Sequence, residues 1–260
     1  MTARYAIYFS PGPDTPLARF GAAWLGGGDT TADAIEQPPV DGFARSRIAE
    51  ITESARHYGF HATLKPPFVL AEGRTGAELD WRLGAFAQGH APIAGLELVV
   101  GTLDGFIALL LTADSTELRN LAAACVRDFD DFRRPPPAEE LMRRRQAPLG
   151  ALEDALLLRW GYPYVMEAFR FHMTLTSRLP QDERDRILPL LGRMFGPVAE
   201  TCCTIDAVSL FYQGGSDRPF RLLRRYPLGA GSARSIATKD ATDRASGPSL
   251  TRVRTSPPST

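Results

Sequence analysis

Runs of apolar residues along this chain change their period at intervals marked by proline and glycine. Residues 4–9 (RYAIYF) are dense in aromatic and β-branched side chains and predict a strand, closed by Pro11, Gly12 and Pro13. Asp14-Thr15-Pro16 reads as a helix start. Leu17, Phe20, Ala23 and Trp24 follow at helical spacing, and Gly26-Gly27-Gly28 is the stop. Residues 29–55 are polar and predict no definite element. Residues 58–68 predict a strand that Lys65-Pro66-Pro67 interrupts. Leu79, Leu83 and Phe86 give residues 75–88 a helical stripe. Residues 96–101 and 106–112 read as two strands joined at Asp104-Gly105. Residues 115–132 predict a helix with Ser115 as its N-cap and Leu118, Leu121, Ala122, Cys125, Val126 and Phe129 on its apolar face.

Residues 133–164 break the pattern. They open Arg133-Arg134-Pro135-Pro136-Pro137 and carry the run Arg143-Arg144-Arg145. A further helix ends at Trp160-Gly161, so the stretch reads as a helical insert. The order before it then recurs: a strand at 167–176, a helix at 181–195, and a hairpin of 205–212 and 219–225 across Gly214-Gly215. From residue 229 on, large apolar side chains become rare. That stretch holds Arg234, Lys239, Arg244, Arg252 and Arg254 against Asp240 and Asp243, and it predicts a disordered tail beside a body spanning 1–228.

One phrase occurs in both halves: Phe60-His61-Ala62-Thr63-Leu64 and Phe171-His172-Met173-Thr174-Leu175. Two of the chain's four histidines stand in it. In an extended strand, residues i and i+2 share a face, so each copy offers an imidazole and a hydroxyl side by side. Imidazole is the side chain suited to proton transfer near neutral pH. Two such units brought together supply a base, an acid and two hydroxyls. His57 and His61 are four apart, but Gly59 and the strand character remove the helix that a metal pair needs. No metal signature is present. His90 reads as a partner for the end of the preceding helix.

Formal net charge is zero, which argues against broad electrostatic capture of nucleic acid while leaving a local basic pocket open. Cys125, Cys202 and Cys203 have no paired spacing and read as reduced thiols of a cytoplasmic protein. The first ten residues do not read as a signal peptide, and no apolar run is long enough to span a membrane. The arginine run 143–145 reads first as a solvated helix face, with a pocket for a second phosphate as the alternative.

The paired H-x-T-L phrases resemble the 2H phosphoesterase superfamily. Its DUF1045 branch is resembled more closely, through residues 57–68 (HYGFHATLKPPF), 160–165 (WGYPYV) and 169–176 (FRFHMTLT). That branch is known as a phosphonate-metabolism protein often encoded beside carbon–phosphorus lyase genes. The resemblance covers residues 1–228. It implies an α+β fold of two pseudo-symmetric lobes, each an antiparallel sheet with flanking helices, around a central cleft. It further implies His61 and His172 as catalytic residues, with Thr63 and Thr174 holding phosphate oxygens. Lys65 and Arg170 are candidates for the cleft's positive charge, Arg170 by its i+2 relation to His172. Tyr5 and Tyr212 are candidates for its border. Tyr58 ranks below them, because strand parity puts it on the face of Phe60. The expected activity is a cyclic phosphodiesterase that needs no metal or cofactor and acts on a small phosphorylated sugar, with 5-phosphoribosyl 1,2-cyclic phosphate as the specific candidate. RNA ends or 2′,3′-cyclic nucleotides are the alternative substrates, and a non-catalytic phosphosugar-binding module is the alternative class.

Overall fold

A computed structural model describes residues 2–27, 35–146, 148–199 and 203–229. The tail expectation lies outside the described residues, as does Cys202. Strand β1 (Arg4–Phe9) leads through the turn at Gly12 into α1 (Pro16–Leu25). The Thr15 hydroxyl accepts the Ala18 N–H at one end of α1, and Gly26 takes a left-handed conformation (φ 76°) at the other. Next comes α2 (Arg45–Arg56), inside the stretch that predicts no element. Its buried positions Ile48, Ile51, Thr52 and Ala55 do fall on one helical face. The signal is thin because five of its twelve residues are charged and no side chain caps its start.

The first motif opens β2 (Ala62–Phe68). The two prolines do not end this strand. Its only pairing with the strand beyond is at Ala62, so Pro66 and Pro67 lie along an edge where no ladder bond is required. Helix α3 (Gly76–Gln88) begins in a capping box between Thr75 and Glu78. Three strands follow, β3 (Ile93–Leu96), β4 (Leu98–Leu103) and β5 (Phe106–Leu111), the last two joined at Asp104 and Gly105, both with positive φ. Helix α4 (Thr116–Asp128) stops earlier than expected and gives way to a 3₁₀ turn at Asp130–Phe132. The insert holds α5 (Ala138–Arg144) and α6 (Ala151–Trp160), the latter ended by left-handed Gly161.

The second motif strand is shorter than its sequence suggests. Only β6 (His172–Thr174) pairs as a strand, after a 3₁₀ turn at Met166–Ala168. Helix α7 (Gln181–Ala199) then leads to β7 (Cys203–Ile205), β8 (Ala207–Gln213) and β9 (Arg221–Pro227).

The fold is α+β, with seven strands in one antiparallel sheet of order β4-β5-β6-β2-β1-β8-β9, and β3 paired with β7 in a small second sheet. The two halves interleave within the large sheet. β6, from the second half, pairs with the first half's hairpin β4–β5. β1, from the first half, pairs with the second half's hairpin β8–β9. The helices follow suit: α3 packs on β8 and β9, and α7 on β4 and β5. Each half thus completes the other's layer. The main core lies on the helix-covered face, where Ile7 and Phe9 of β1, Ala62 and Leu64 of β2 and Met173 of β6 meet residues such as Leu83 and Leu191. Complete burial of one such leucine is worth roughly 1.5–3 kcal/mol. The opposite face of the sheet carries the smaller cluster Ala6, Tyr8, Phe211 and Phe220, and beside it the two motif histidines.

Candidate active site

Ala62 and Met173, the middle residues of the two H-x-T units, are register partners across β2 and β6. Antiparallel pairing then sets His61 across from Thr174 and Thr63 across from His172. Because Ala62 and Met173 point into the core, at 1% and 0% exposure, both histidines and both threonines face the other way. There they line one cleft of about 350 Å³, within the usual range for a small-molecule site.

The histidines are held alike. His61 Nδ1 lies 3.0 Å from the carbonyl of Gly59, and His172 Nδ1 lies 2.8 Å from that of Arg170. A neutral ring in this setting donates from Nδ1 and leaves Nε2 free to accept. His61 Nε2 sits 3.3 Å from the Thr63 hydroxyl. The two sites differ in their surroundings. His61 is stacked on Tyr8 with centroids 3.8 Å apart and planes at 24°. Burial pulls its pKa down to about 4, the Gly59 carbonyl opposes this, and the neighbouring His172 adds to the lowering. Burial also lowers His172, against the pull of the Arg170 carbonyl.

The remaining walls come from several elements. Arg4 and Tyr8 stand on β1, Ser54 and Ala55 at the end of α2, Tyr58 and Gly59 in the turn before β2, Pro66 and Pro67 further along it, and Arg144 and Tyr162 on the insert. Of the arginine run, Arg144 alone reaches the cleft. It pairs with Glu140 at 2.8 Å and lies 5.0 Å over the Tyr162 ring. Arg145 instead pairs with Asp154, and Arg143 is mostly exposed.

Four sequence candidates lie elsewhere. Lys65 does not reach the cleft. Thr63 pairs with Tyr8 while Lys65 pairs with the adjacent Ile7, so β2 carries an extra residue, a bulge that reverses the side of Lys65. Its ammonium is buried on the core side, donating to the Val126 carbonyl at 3.0 Å and lying 3.7 Å from Asp130. Burial depresses its pKa to about 8, with Asp130 acting against it. Arg170 is directed outward and half exposed, paired with Asp104 at 3.0 Å and lying over Tyr164. The short β6 begins only at His172, so i+2 parity does not extend back to Arg170. Tyr5 and Tyr212 are register partners whose rings meet at 5.2 Å on the opposite face from the histidines, where the Tyr5 hydroxyl abuts Gly76.

Sequence reasoning missed Arg4, Tyr8 and Tyr162. Arg4 and Tyr8 share a strand face, but nothing in one strand says which face meets the cleft. That needed the pairing of Tyr8 with Thr63. Tyr58 was set aside by parity, and the parity fails because Gly59 (φ 76°) precedes β2 with a turn. Tyr58 swings to the cleft, stacked on Phe220 at 5.3 Å and 6.2 Å from His61.

Fold and site together define an α+β protein with two H-x-T units converging on one cleft. The chain belongs to the family described as "Protein of unknown function (DUF1045)", which matches residues 63–221. Two curated relatives, each named "Ribose 1,5-bisphosphate phosphokinase PhnN", are similar to it. The protein of Janthinobacterium sp. (strain Marseille) is 38% identical over 238 residues, covering 90% of this chain and 52% of that protein. The protein of Laribacter hongkongensis (strain HLHK9) is 33% identical over 244 residues, covering 91% and 54%. The chain thus spans about half the length of the curated relatives it matches. A crystal structure of E. coli LigT complexed with NADP+ aligns over 88% of this chain and 98% of that one, with 14% identity and a TM-score of 0.38. Among the described residues no helix is long and apolar enough to cross a membrane.

Proposed function

We propose that this protein is a metal-independent cyclic phosphodiesterase acting on a small phosphorylated sugar. The observation that carries the reading is the register pairing of the two H-x-T units, which sets two imidazoles and two hydroxyls around one point in a cleft. In the reaction, water attacks phosphorus as the ring P–O bond breaks on the opposite side. His61, half-buried and held neutral, takes the proton from water at Nε2. His172, on the other motif, in its protonated form gives a proton to the departing sugar oxygen. Thr63 and Thr174 donate to the non-bridging oxygens and fix the phosphorus between the rings.

The specific candidate is 5-phosphoribosyl 1,2-cyclic phosphate. Release of its 2-oxygen with the phosphate retained on the 1-oxygen gives ribose 1,5-bisphosphate. That compound appears in the name of both curated relatives, which are about twice as long as the matched stretch. The kinase of that name needs a phosphate loop, commonly G-x-x-x-x-G-K-[ST]. The only lysines here, Lys65 and Lys239, follow Leu64 and Thr238, so this stretch carries no such loop. A ring-opening half joined to a kinase half would hand its product on. The 2′,3′-cyclic nucleotide reading has one observation in its favour, the aromatic rings of Tyr8, Tyr58 and Tyr162 along the cleft, on which a base could stack.

The test is phosphorus NMR of 5-phosphoribosyl 1,2-cyclic phosphate and a 2′,3′-cyclic nucleotide panel with EDTA present. Ring opening by wild type that His61→Ala and His172→Ala both abolish is the expected result. Tight binding without turnover of any substrate would leave a binding module instead.

A further inference from the structure

The strand register fixes the long axis of the cleft. Thr63 lies opposite Tyr8 and Phe68 opposite Tyr5, so from the histidines the cleft runs along β1 and β2 past Pro66 and Pro67 to Arg4. Arg4 is four residues from Tyr8 on the same face, about 13 Å along the strand at ~3.3 Å per residue. Three features line this cleft between the histidines and Arg4, and the acid–base scheme uses none of them.

The first is the charge on Arg4. Its Nε donates to Gln213 Oε1 at 2.7 Å, and its guanidinium lies 5.4 Å over the Phe220 ring. Gln213 is completely buried, and its own Nε2 is tied to the Arg218 carbonyl at 2.6 Å and to His57 Nε2 at 2.9 Å. A fixed amide therefore aims this guanidinium, yet among the described residues no carboxylate lies within 4.0 Å of it. The second is Arg144, brought by α5 to the same cleft over Tyr162. The third is the Tyr8 phenol, 1% exposed, which lines the cleft and has no hydrogen-bond partner among the described residues. A buried donor without an acceptor costs on the order of a lost hydrogen bond, unless a ligand supplies one. Cations from two walls with spare phenolic donors match a tetrahedral dianion, which can accept on several sides at once.

We infer that the cleft from Tyr8 toward Arg4 holds a second anion subsite, built by Arg4, Arg144, Tyr8 and Tyr162, for a terminal phosphate monoester on the same small molecule whose phosphodiester lies between the histidines. The inference deepens the phosphodiesterase reading and rests on it. It gives the insert a purpose: α5 and the turn after α6 supply the arginine and tyrosine that select doubly phosphorylated substrates.

Two measurements test it separately from the chemistry. Calorimetry compares ribose 5-phosphate with ribose on wild type, Arg4→Gln, Arg144→Gln and Arg143→Gln. Ribose 5-phosphate should bind wild type, with ribose at least about 100-fold weaker. Each cleft-arginine variant should weaken ribose 5-phosphate about 10- to 100-fold, with Arg143→Gln unchanged. Because Arg4 also anchors Gln213, the exposed-helix variant Arg144→Gln carries the result if Arg4→Gln fails to fold. Equal binding of the two sugars, or no effect of Arg144→Gln, would overturn the subsite. Steady-state kinetics then compares ribose cyclic phosphates with and without a 5-phosphate. Arg144→Gln should raise KM for the 5-phosphorylated substrate at least about tenfold more than for the other. Turnover indifferent to the 5-phosphate would remove the subsite and keep the phosphodiesterase. Arginine-dependent binding of ribose 5-phosphate with no turnover of any cyclic phosphate would do the reverse.

Discussion

Ala62 and Met173 face each other across β2 and β6, and this one pairing is the whole ladder between those two strands. Because each is the middle of an H-x-T unit, it sets each histidine across from the other unit's threonine. The site is therefore made by the seam between the halves.

Loss of either imidazole should stop turnover without unfolding the protein. His61→Ala and His172→Ala are each expected to lower kcat by about 10²- to 10⁴-fold. The double variant should be little worse than the singles, because the two act on one proton inventory. Single-turnover kinetics with circular dichroism as a folding control checks this, and full activity in either variant would sink the scheme.

The pH profile should be bell-shaped with its optimum on the acid side of neutrality. On the acid limb kcat/KM rises as His61 loses its proton, near pH about 4 in the free enzyme. On the alkaline limb it falls as His172, also below the ordinary imidazole value, loses its own. Stability should respond as well. Folded His61 lies below the ~6.5 of a free imidazole, so the unfolded chain binds the extra proton between the two values. Stability from this source is complete above pH ~6.5 and is lost as the pH falls toward about 4, by on the order of 2 kcal/mol with its ring partly open to the cleft. Urea denaturation across pH 4–7 should show this slope, reduced in His61→Gln.

Gly21, inside α1, should not accept a side chain. A Cβ there would fall 2.2 Å from Cδ1 of Phe60, the residue that precedes His61. Gly21→Ala is expected to cost about 1–3 kcal/mol and to lower kcat through displacement of the motif. Gly192 in α7 meets nothing within 4 Å, so Gly192→Ala should stabilise by about 0.5–1 kcal/mol with activity intact. Equal thermal shifts in the two variants would contradict the packing argument.

Lys65 follows the first motif closely and yet should be silent in catalysis. Lys65→Met removes a buried ammonium whose partner Asp130 keeps Arg133 at 2.7 Å. We expect a stability cost of about 1–2 kcal/mol, mainly from the orphaned Val126 carbonyl, and kcat/KM within about threefold of wild type. A large loss of kcat/KM at unchanged stability would place Lys65 in the reaction after all.

The sequence by itself determined the pieces that local physics controls. Thr15 and Ser115 cap helices because a hydroxyl can accept the free N–H groups of a first turn. Asp104-Gly105 turns a hairpin because both residues tolerate positive φ. The repeated H-x-T phrase named the two histidines and two threonines, since i+2 parity holds within one short extended run. Parity failed wherever the run was broken: at the β2 bulge that turns Lys65 into the core, at Gly59 before Tyr58, and ahead of the three-residue β6 at Arg170. Only the tertiary structure decided which strand faces share the cleft. It set Tyr5 and Tyr212 behind the sheet and Tyr8 in front, and chose Arg144 from a run of three arginines. Those choices depend on cross-strand register and on how the insert docks. Both are set by contacts between residues far apart along the chain, which no local period records.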